Sequence, residues 1–287
     1  MEKKEIVVKK DSTLIEELSN LGLSYANIKK ILKNKDVKVN DLRVKEDCIL
    51  FQGDKVIIFY TPDQIQKFEI TKLYEDENII VVDKPAGIET EGKGGLTEKL
   101  NAIAVHRLDR NTTGVMLFAK NNQSKEILDN AIKNHLITKK YYAEVVGKTD
   151  YKYFTYNAYL LKDAKLSQVK IFDKQVKGTL PISTTFNTIK STPSSSLIEC
   201  AIHTGRTHQI RASLAYLGHP IIGDGKYGKN EDNKRFNEKN QRLHSYLLVL
   251  NGLTAHLTHL NGRRFTSSPS WIKNNKKDWN FSLFFIE

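Results

Sequence analysis

The sequence lacks the features of a membrane-spanning or disulfide-bonded extracellular protein. Its only two cysteines, Cys48 and Cys200, are too few for a disulfide framework or a four-cysteine zinc site, so we expect both to be reduced packing residues. No apolar run approaches the ~18 residues of a spanning helix, and the start Met-Glu-Lys-Lys-Glu has no signal-peptide core. These absences predict a cytoplasmic protein without a membrane partner.

Signatures of several other enzyme classes are also missing. There is no Gly-x-Ser-x-Gly elbow, the common sequence signal of a serine hydrolase. Residues 87–93 resemble a phosphate-binding loop, but Gly94 stands where a Ser or Thr would hold magnesium, which predicts a glycine-rich turn instead. His203 and His208 have no accompanying cysteine or acidic pair, so we predict no metal site.

The composition is that of a folded, basic protein. Hydrophobic residues make up 39% of the 287 residues, which is too many for global disorder. The formal net charge is +12, and such an excess of positive charge favours a polyanionic partner, with nucleic acid foremost. At ~150 residues per domain, this length predicts about two domains.

The first 60 residues predict a small domain of two short helices and a hairpin. Apolar residues recur at helical spacing in two runs, namely Leu14, Ile15, Leu18 and Leu21, then Ile28, Ile31 and Leu32. Residues 37–41 have a strand-turn pattern, and residues 53–59 form another apolar strand. We place this domain at residues 1–60 and a linker at residues 61–72.

Positive charge is concentrated between Lys29 and Lys45, where seven basic and two acidic residues occur. A solvated helix face would by itself explain such a run. The segment LSYANIKKILKNKDVKVN also resembles the S4 domain, which presents a basic face to structured RNA. The resemblance implies RNA contacts from Lys29, Lys30, Lys33 and Lys38.

Strands and helices alternate through the rest of the chain. Strands are predicted at residues 78–83, 115–118, 141–146 and 197–202, and helices at 122–134 and 207–217, the second capped by Thr207. Residues 227–242 are polar and without periodicity, so we predict a mobile surface loop there.

Two polar clusters lie next to apolar elements. VHRLDRNTTGVMLFAK, at residues 105–120, places Asp109 between two arginines just before a strand. A capped, salt-bridged turn would be the ordinary explanation. HTGRTHQIR, at residues 203–211, places Arg211 at the edge of a buried helical stripe, where a guanidinium needs a carboxylate partner.

Four motifs together resemble the RluA family of pseudouridine synthases. They are HRLDRNTTG, DKPAG at 83–87, KKYYAEV at 139–145 and TGRTHQIRASLAYLGHPIIGDGKYG at 204–228. The similarity covers about residues 73–270. It departs from the family pattern at Thr113, where the family usually has Ser, and at residues 180–184.

The resemblance implies a fold and a reaction. The fold is α+β, with the small S4-like domain followed by a catalytic domain, residues 73–287, built on a mixed, mainly antiparallel sheet with flanking helices. The reaction is isomerisation of uridine in RNA, which needs no cofactor, metal or nucleotide. By match to the motif, Asp109 is the essential carboxylate, acting as nucleophile or as base, and Arg211 pairs with it and keeps it charged.

Other site residues follow from the same match. Tyr142 is predicted to stack on the target base, and Tyr141 to face the opposite side of its strand. Arg107 is predicted to enter the stack that a flipped uridine vacates. Arg206 and His208 are predicted to contact RNA.

Three functions remain open at this point. The first is a monomeric pseudouridine synthase for structured RNA, most simply large-subunit ribosomal RNA. The second is the same enzyme with transfer RNA as its substrate. The third is a catalytically silent RNA-binding or ribosome-assembly protein on the same scaffold, which the joint presence of Asp109, Tyr142 and Arg211 opposes.

Overall fold

The computed structural model describes residues 1–23, 25–64, 68–163 and 167–274, and the chain packs into two units. The first comprises residues 1–69 and 87–102, and the second residues 70–86 and 103–287. The sequence prediction places residues 87–102 in the catalytic domain, whereas in the structure they pack with the first unit. One reason is local: the Lys93 ammonium donates a hydrogen bond to the Thr13 hydroxyl.

The first unit contains the predicted helix pair and hairpin. Its elements are β1 (Glu2–Val7), β2 (Ser12–Thr13), α1 (Leu14–Asn20), α2 (Tyr25–Asn34), β3 (Val37–Val39), β4 (Leu42–Arg43), β5 (Ile49–Leu50), β6 (Lys55–Tyr60) and α3 (Leu96–Leu100). Four strands form an antiparallel sheet in the order β1-β6-β3-β4. Leu14, Leu18, Ile28, Ile31 and Leu32 are buried in one core, as their helical spacing predicts.

Two turns in this unit depend on residues that tolerate positive φ. Asn40 and Asp41 have φ of 47° and 67° and close the tight β3-β4 hairpin. The segment predicted as a glycine-rich turn, residues 87–93, does form turns, and Gly92 has φ of 92°. The hairpin and turn predictions are therefore confirmed.

The second unit is built on a large mixed sheet. Its strands are β7 (Thr71–Glu75), β8 (Ile79–Lys84), β9 (Ile103–Ala104), β10 (Thr113–Ala119), β11 (Thr138–Val146), β12 (Phe154–Asp163), β13 (Gln168–Phe172), β14 (Leu180–Ser191), β15 (Ser195–Ile202), β16 (Leu243–Val249) and β17 (Arg264–Thr266). Its helices are α4 (Asn122–Lys133), α5 (Gln209–Tyr216), α6 (Asn230–Arg235) and α7 (Ser270–Asn274). The predicted α+β fold is confirmed.

The sheet has one parallel seam. Its main path runs β13-β12-β14-β15-β11-β16-β10-β8-β7, with β9 beside β10 and β17 beside β16. Every pairing between these strands is antiparallel except that of β10 with β16, which joins Thr113 to His244 and Gly114 to Ser245. The strands approach so closely there that a Cβ at Gly114 would lie 2.2 Å from the Ser245 carbonyl oxygen.

Two predictions about helices need correction. Helix α5 begins at Gln209, and its N-cap is His208 in a left-handed conformation, not Thr207. Residues 230–235, predicted as part of a mobile loop, form the short helix α6. Its Asn233 side chain is tied to the backbone of Gly223 and Asp224, and such long-range bonds leave no periodic signal in a sequence.

Both cysteines are free, as predicted. Cys200 is buried in the sheet of the second unit and Cys48 is half-buried in the first. Within the described ranges, no helix is long and apolar enough to cross a membrane.

Candidate active site

A buried lysine holds the loop that carries Asp109 through hydrogen bonds to backbone carbonyl groups. Lys84 is fully buried, and its ammonium donates hydrogen bonds to the carbonyl oxygens of Pro85 (3.1 Å), Arg110 (2.8 Å) and Thr112 (3.0 Å). The loop is further closed by a bond from Thr112 N–H to the Asp109 carbonyl, at 3.0 Å. The backbone on the C-terminal side of Asp109 is therefore fixed.

His106 anchors the other end of the same loop. Its Nε2 accepts a hydrogen bond from the Leu117 N–H at 3.1 Å. Burial, reinforced by the nearby positive charge of Lys139, lowers the pKa of His106 to about 3. The imidazole is thus a neutral acceptor at physiological pH and attaches the loop to strand β10.

Asp109 is paired with Arg211, as the resemblance to the RluA family implies. Arg211 Nη1 donates to Asp109 Oδ2 at 2.8 Å, although the two residues lie 102 positions apart. The Asp109 side chain is 24% exposed, whereas that of Arg211 is 6% exposed. Within the described part of the chain, Asp109 Oδ1 accepts no hydrogen bond, so one oxygen of a partly accessible carboxylate is available.

A second carboxylate fixes the direction of the arginine. Arg211 Nε and Nη2 donate to the two oxygens of Asp224 at 2.7 and 2.9 Å, and the Asp224 side chain is fully buried. Burial alone would lower the pKa of Arg211, but bonds to Asp224 and the charges of Asp224 and Asp109 outweigh burial and raise it. Arg211 therefore stays charged and points one remaining N–H group at Asp109.

Asp224 is itself well adapted to remain ionised. Burial would raise its pKa, but the hydrogen bonds and charge of Arg211 and the N–H groups of Lys226 and Tyr227 together lower it. Those N–H groups donate to Oδ1 at 2.8 and 3.1 Å. The carboxylate is thus a buried, fully hydrogen-bonded support.

His208 lies beside the ion pair, although we predicted it as an RNA contact. Its Nε2 is 3.9 Å from Asp109 Oδ2, its Nδ1 is 2.9 Å from the Tyr227 hydroxyl, and its side chain is only 11% exposed. Burial lowers its pKa more than the charge of Asp109 raises it. A neutral imidazole therefore borders Asp109, and Arg211 supplies the positive charge.

The prediction for the two adjacent tyrosines is reversed in the structure. Tyr141 is 5% exposed and close enough to Asp109 that burial and this carboxylate together raise the phenol pKa. Tyr142 instead stacks on Tyr246, with ring centroids 3.9 Å apart, and packs near Trp271. The prediction that Tyr142 faces the site is therefore wrong: Tyr141 lies there.

The surroundings of Tyr142 are a packed polar and aromatic cluster. Glu199 accepts hydrogen bonds from the Lys140 ammonium (2.8 Å) and the Tyr246 hydroxyl (2.7 Å). Tyr142 lies directly opposite Glu199 in the pairing of β11 with β15. Alternate residues of a strand face opposite sides, so this cluster and Tyr141 belong to different faces of β11.

The residues predicted to contact RNA lie at the surface. Arg107, two positions before Asp109, and Arg206, in the turn before α5, are both exposed. In the first unit, Lys29, Lys30 and Lys33 are exposed along α2, and Lys38 is half-buried on β3. Among the described residues, no group of three or more His, Cys, Asp or Glu side chains is arranged to hold a metal ion.

Comparison with known proteins gives this site a context. Two proteins named Ribosomal large subunit pseudouridine synthase C, from Vibrio cholerae serotype O1 and Escherichia coli (strain K12), are each 32% identical to this chain. The alignments cover 76% and 83% of this chain, and 76% and 82% of those proteins. A family model described as RNA pseudouridylate synthase matches residues 78–216. The chain belongs to this family.

Solved structures support the fold of this pseudouridylate synthase. Human RNA Pseudouridylate Synthase Domain Containing 1 superposes with a TM-score of 0.61 at 20% identity, covering 74% of this chain and 88% of that one. Human RNA Pseudouridylate Synthase Domain Containing 4 gives 0.58 at 21% identity, covering 72% and 92%. The predictions of an RluA-type family and an isomerase are confirmed.

Sequence reasoning missed three residues of the synthase's site. Lys84 and Asp224 both lie inside the family motifs, yet the contacts that give them their roles are distant in sequence: Lys84 bonds Arg110, 26 positions away, and Asp224 bonds Arg211, 13 positions away. Asp224 did carry a signal, because a carboxylate that follows the apolar pair at residues 221–222 after a single glycine is expected to be buried and to need a cation. Tyr141 was considered and assigned to the wrong face.

Proposed function

We propose that this synthase isomerises specific uridines in large-subunit ribosomal RNA. The observation that carries the proposal is Asp109: a rigidly held carboxylate, paired on one oxygen with Arg211 and open on the other, beside the ring of Tyr141. The choice of RNA rests on the relatives, whose names specify the ribosomal large subunit. A ribosomal substrate also favours the cytoplasm.

The proposed reaction uses the groups already described. The target uridine leaves the RNA stack, at a cost of a few kcal/mol, because a stacked nucleotide cannot present its sugar to Asp109. Asp109 then attacks the sugar or removes a sugar proton, and both routes use the unprotonated carboxylate. The N1 bond to the sugar breaks and the uracil turns. C5 then bonds to the same sugar carbon, which releases Asp109 or is accompanied by return of the removed sugar proton. C5 loses its proton and N1 gains one, so no atom is lost and no cofactor is consumed.

Two further side chains are given roles by their positions. The position of Tyr141 beside Asp109 supports the role of stacking on the uracil, while it is detached from the sugar, for Tyr141 rather than Tyr142. The exposure of Arg107 on the Asp109 loop supports the role of filling the gap that the flipped base leaves in the RNA. Neither role requires a second copy of the chain, and we propose that the enzyme acts as a monomer.

The first unit is proposed to position the RNA, as its resemblance to an S4 domain implies. Exposed cations bind phosphate. Replacing one such cation with a neutral side chain reduces the slope of log binding constant against log salt concentration by somewhat less than one unit. Replacing Lys29, Lys30 and Lys33 with Gln is therefore expected to flatten the salt slope by about two units. Replacing the equally exposed Lys3, Lys4 and Lys9 is the control; equal effects of the two triple variants would contradict a specific RNA-binding face.

The proposed function is tested by mapping pseudouridine in cellular RNA with and without the protein. Purified protein is then incubated in EDTA, without nucleotides, with protein-free large-subunit ribosomal RNA or transfer RNA. We expect new pseudouridine at discrete sites in the ribosomal RNA. Modification of transfer RNA alone would overturn the substrate, and RNA binding without any isomerisation would leave a silent binding protein.

A further inference from the structure

A cavity of about 380 Å³ lies between helix α6 and the loop that carries Asp224. This size is at the lower end of the range for small-ligand sites, about 300–1,000 Å³. No step of the proposed reaction uses the cavity. Its lining includes Gly223 and Gly225, the two residues that flank Asp224. Anything bound there therefore contacts the loop whose carboxylate orients Arg211.

The two glycines give the cavity a backbone floor. A Cβ at Gly225 would meet no heavy atom within 4 Å, so the space in front of this residue is empty. Gly223 is different: a Cβ there would lie 2.0 Å from the Asn240 carbonyl oxygen, so the chain is already tightly packed. A ligand can thus approach the backbone closely at Gly225.

The opposite wall is held in place by hydrogen bonds. The Asn233 amide accepts from Gly223 N–H at 2.8 Å and donates to the Asp224 carbonyl at 3.3 Å. Arg242 Nε donates to the Glu238 carboxylate at 2.8 Å, and this ion pair neutralises the negative charge of Glu238 at the cavity wall. Two of the lining side chains are therefore held in fixed positions by hydrogen bonds.

The remaining lining groups suit a nucleotide. The side-chain amides of Asn230 and Asn237 are exposed and form no hydrogen bond within the described residues, and each offers a donor and an acceptor to a base edge. Lys234 and Lys239 are exposed and form no ion pair with any described residue, which leaves two cations for phosphate.

We propose that this cavity binds an unpaired nucleotide of the RNA substrate, adjacent to the target uridine. The inference rests on the proposed function, because proteins read RNA sequence at loops, bulges and ends, and a target uridine flipped out of such a segment has unpaired neighbours whose edges are accessible. The amides contact the base, the lysines contact the phosphate, and Gly225 lets the nucleotide lie against the backbone. The cavity thereby contributes to the choice of uridine.

Filling the cavity tests this proposal. Gly225→Leu places a side chain in empty space, and we expect about tenfold weaker binding of the mapped RNA substrate with kcat changed less than twofold. Asn251→Leu, at an exposed position outside the cavity, controls for an added surface leucine. Affinity is measured in an Asp109→Asn background, so that no product forms, and KM and kcat are measured in the active enzyme.

A second pair of variants keeps the test decisive if Gly225→Leu does not fold. Asn230→Ala with Asn237→Ala removes the two free amides and is expected to weaken binding about tenfold, whereas Asn240→Ala, outside the lining, has no effect. An abasic nucleotide next to the target uridine should weaken wild-type binding but add nothing to the loss in either cavity variant.

The outcomes separate the two levels of the proposal. Wild-type affinity in the folded cavity variants, or additive losses with the abasic RNA, would overturn the cavity assignment while the synthase activity stands. Absence of pseudouridine formation by the wild-type protein on any RNA would instead overturn the proposed function on which the assignment rests.

Discussion

Arg211 and Arg242 each lie between two carboxylates, and the two clusters differ in how their carboxylates are used. Arg242 donates to Glu144 at 2.7 Å and to Glu238 at 2.8 Å, one bond to each. Arg211 instead gives two bonds to Asp224 and one to Asp109. Arg242 therefore holds its two acids equally. Arg211 is held by Asp224 and leaves Asp109 partly accessible.

The difference shows what distinguishes the carboxylate that we propose to react from a structural one. Glu144 is 3% exposed and connects strand β11 to the segment before β16 in two ways. Its carboxylate pairs with the Arg242 guanidinium, and its N–H donates to the Arg242 carbonyl. Asp109 is 24% exposed, has an oxygen without a hydrogen bond from the described residues, and lies beside Tyr141. An arginine between two acids therefore does not by itself identify a reaction site. The accessibility of one carboxylate and an aromatic ring beside it make the distinction.

The largest difference in rate between the two clusters is expected when one carboxylate charge is removed from each. Asp109→Asn keeps the shape but removes the charge, and we expect single-turnover pseudouridine formation to fall about 10⁴-fold or more, as for loss of an essential nucleophile. Glu144→Gln removes the same charge from the other cluster and should change the rate less than about threefold. Thermal melting confirms folding of both; product formed by pure Asp109→Asn enzyme at a measurable fraction of the wild-type rate would contradict the mechanism.

The arginines provide the next largest effect. Arg211→Lys replaces a planar, bidentate guanidinium with a point charge, so we expect about 10²-fold slower single turnover, and nearly complete loss in Arg211→Met. Arg242→Lys makes the same change in the other cluster and should leave the rate within about twofold. If Arg211→Met folds and reacts at the wild-type rate, Asp109 has another partner.

Substitution of the two adjacent tyrosines tests which of them belongs to the site. Stacking of a base on an aromatic ring contributes about 1–3 kcal/mol, so Tyr141→Leu should slow isomerisation by roughly 5- to 150-fold. Tyr142→Leu removes a ring that stacks on Tyr246, and we expect a lower melting temperature with a nearly unchanged rate. The reverse pattern would restore Tyr142 to the site and invalidate the assignment of faces.

The smallest predicted effect is on acid stability. Arg211 lowers the pKa of Asp224 in the folded state, so the stability that this pair contributes is present above the unfolded value of about 3.9 and is lost as pH falls through the folded pKa. Asp224→Asn should melt several degrees below wild type at pH 7, with the gap narrowing below about pH 4. A gap that is constant with pH would show that the charge of Asp224 is not what stabilises the fold.

Local patterns in the sequence were sufficient for much of this architecture. The helical spacing of residues 14–21 and 122–134 and the apolar strands before and after Asp109 all correspond to observed elements. The position of Arg211 at the edge of a buried helical stripe predicted only that it has a carboxylate partner, and the resemblance to the RluA family identified that partner as Asp109. The predictions of helices and strands use residues within one element, whereas the Asp109–Arg211 pair required two motifs to be matched to the family together.

The inferences that failed concern the side of an element or a distant partner. Alternation along β11 correctly separates Tyr141 from Tyr142, but only the neighbouring strands determine which face meets Asp109. The pairing of β11 with β16 also shifts register between Lys140 and Tyr141, where Tyr246 is the extra residue. The packing of residues 87–102 with the first unit and the tie between Asn233 and Asp224 likewise arise from long-range contacts.

The parallel seam between β10 and β16 bears on how the enzyme acquires its activity during folding. The antiparallel strands on each side of the seam join mostly near neighbours in sequence, whereas the seam joins Thr113 to His244, across 131 residues. Closing so long a loop is entropically costly and slow. Asp109 precedes β10 on one side, and Tyr141 lies in β11 on the other. We therefore expect a refolding chain to regain its strands before it regains catalysis, with the reaction centre among the last parts to form.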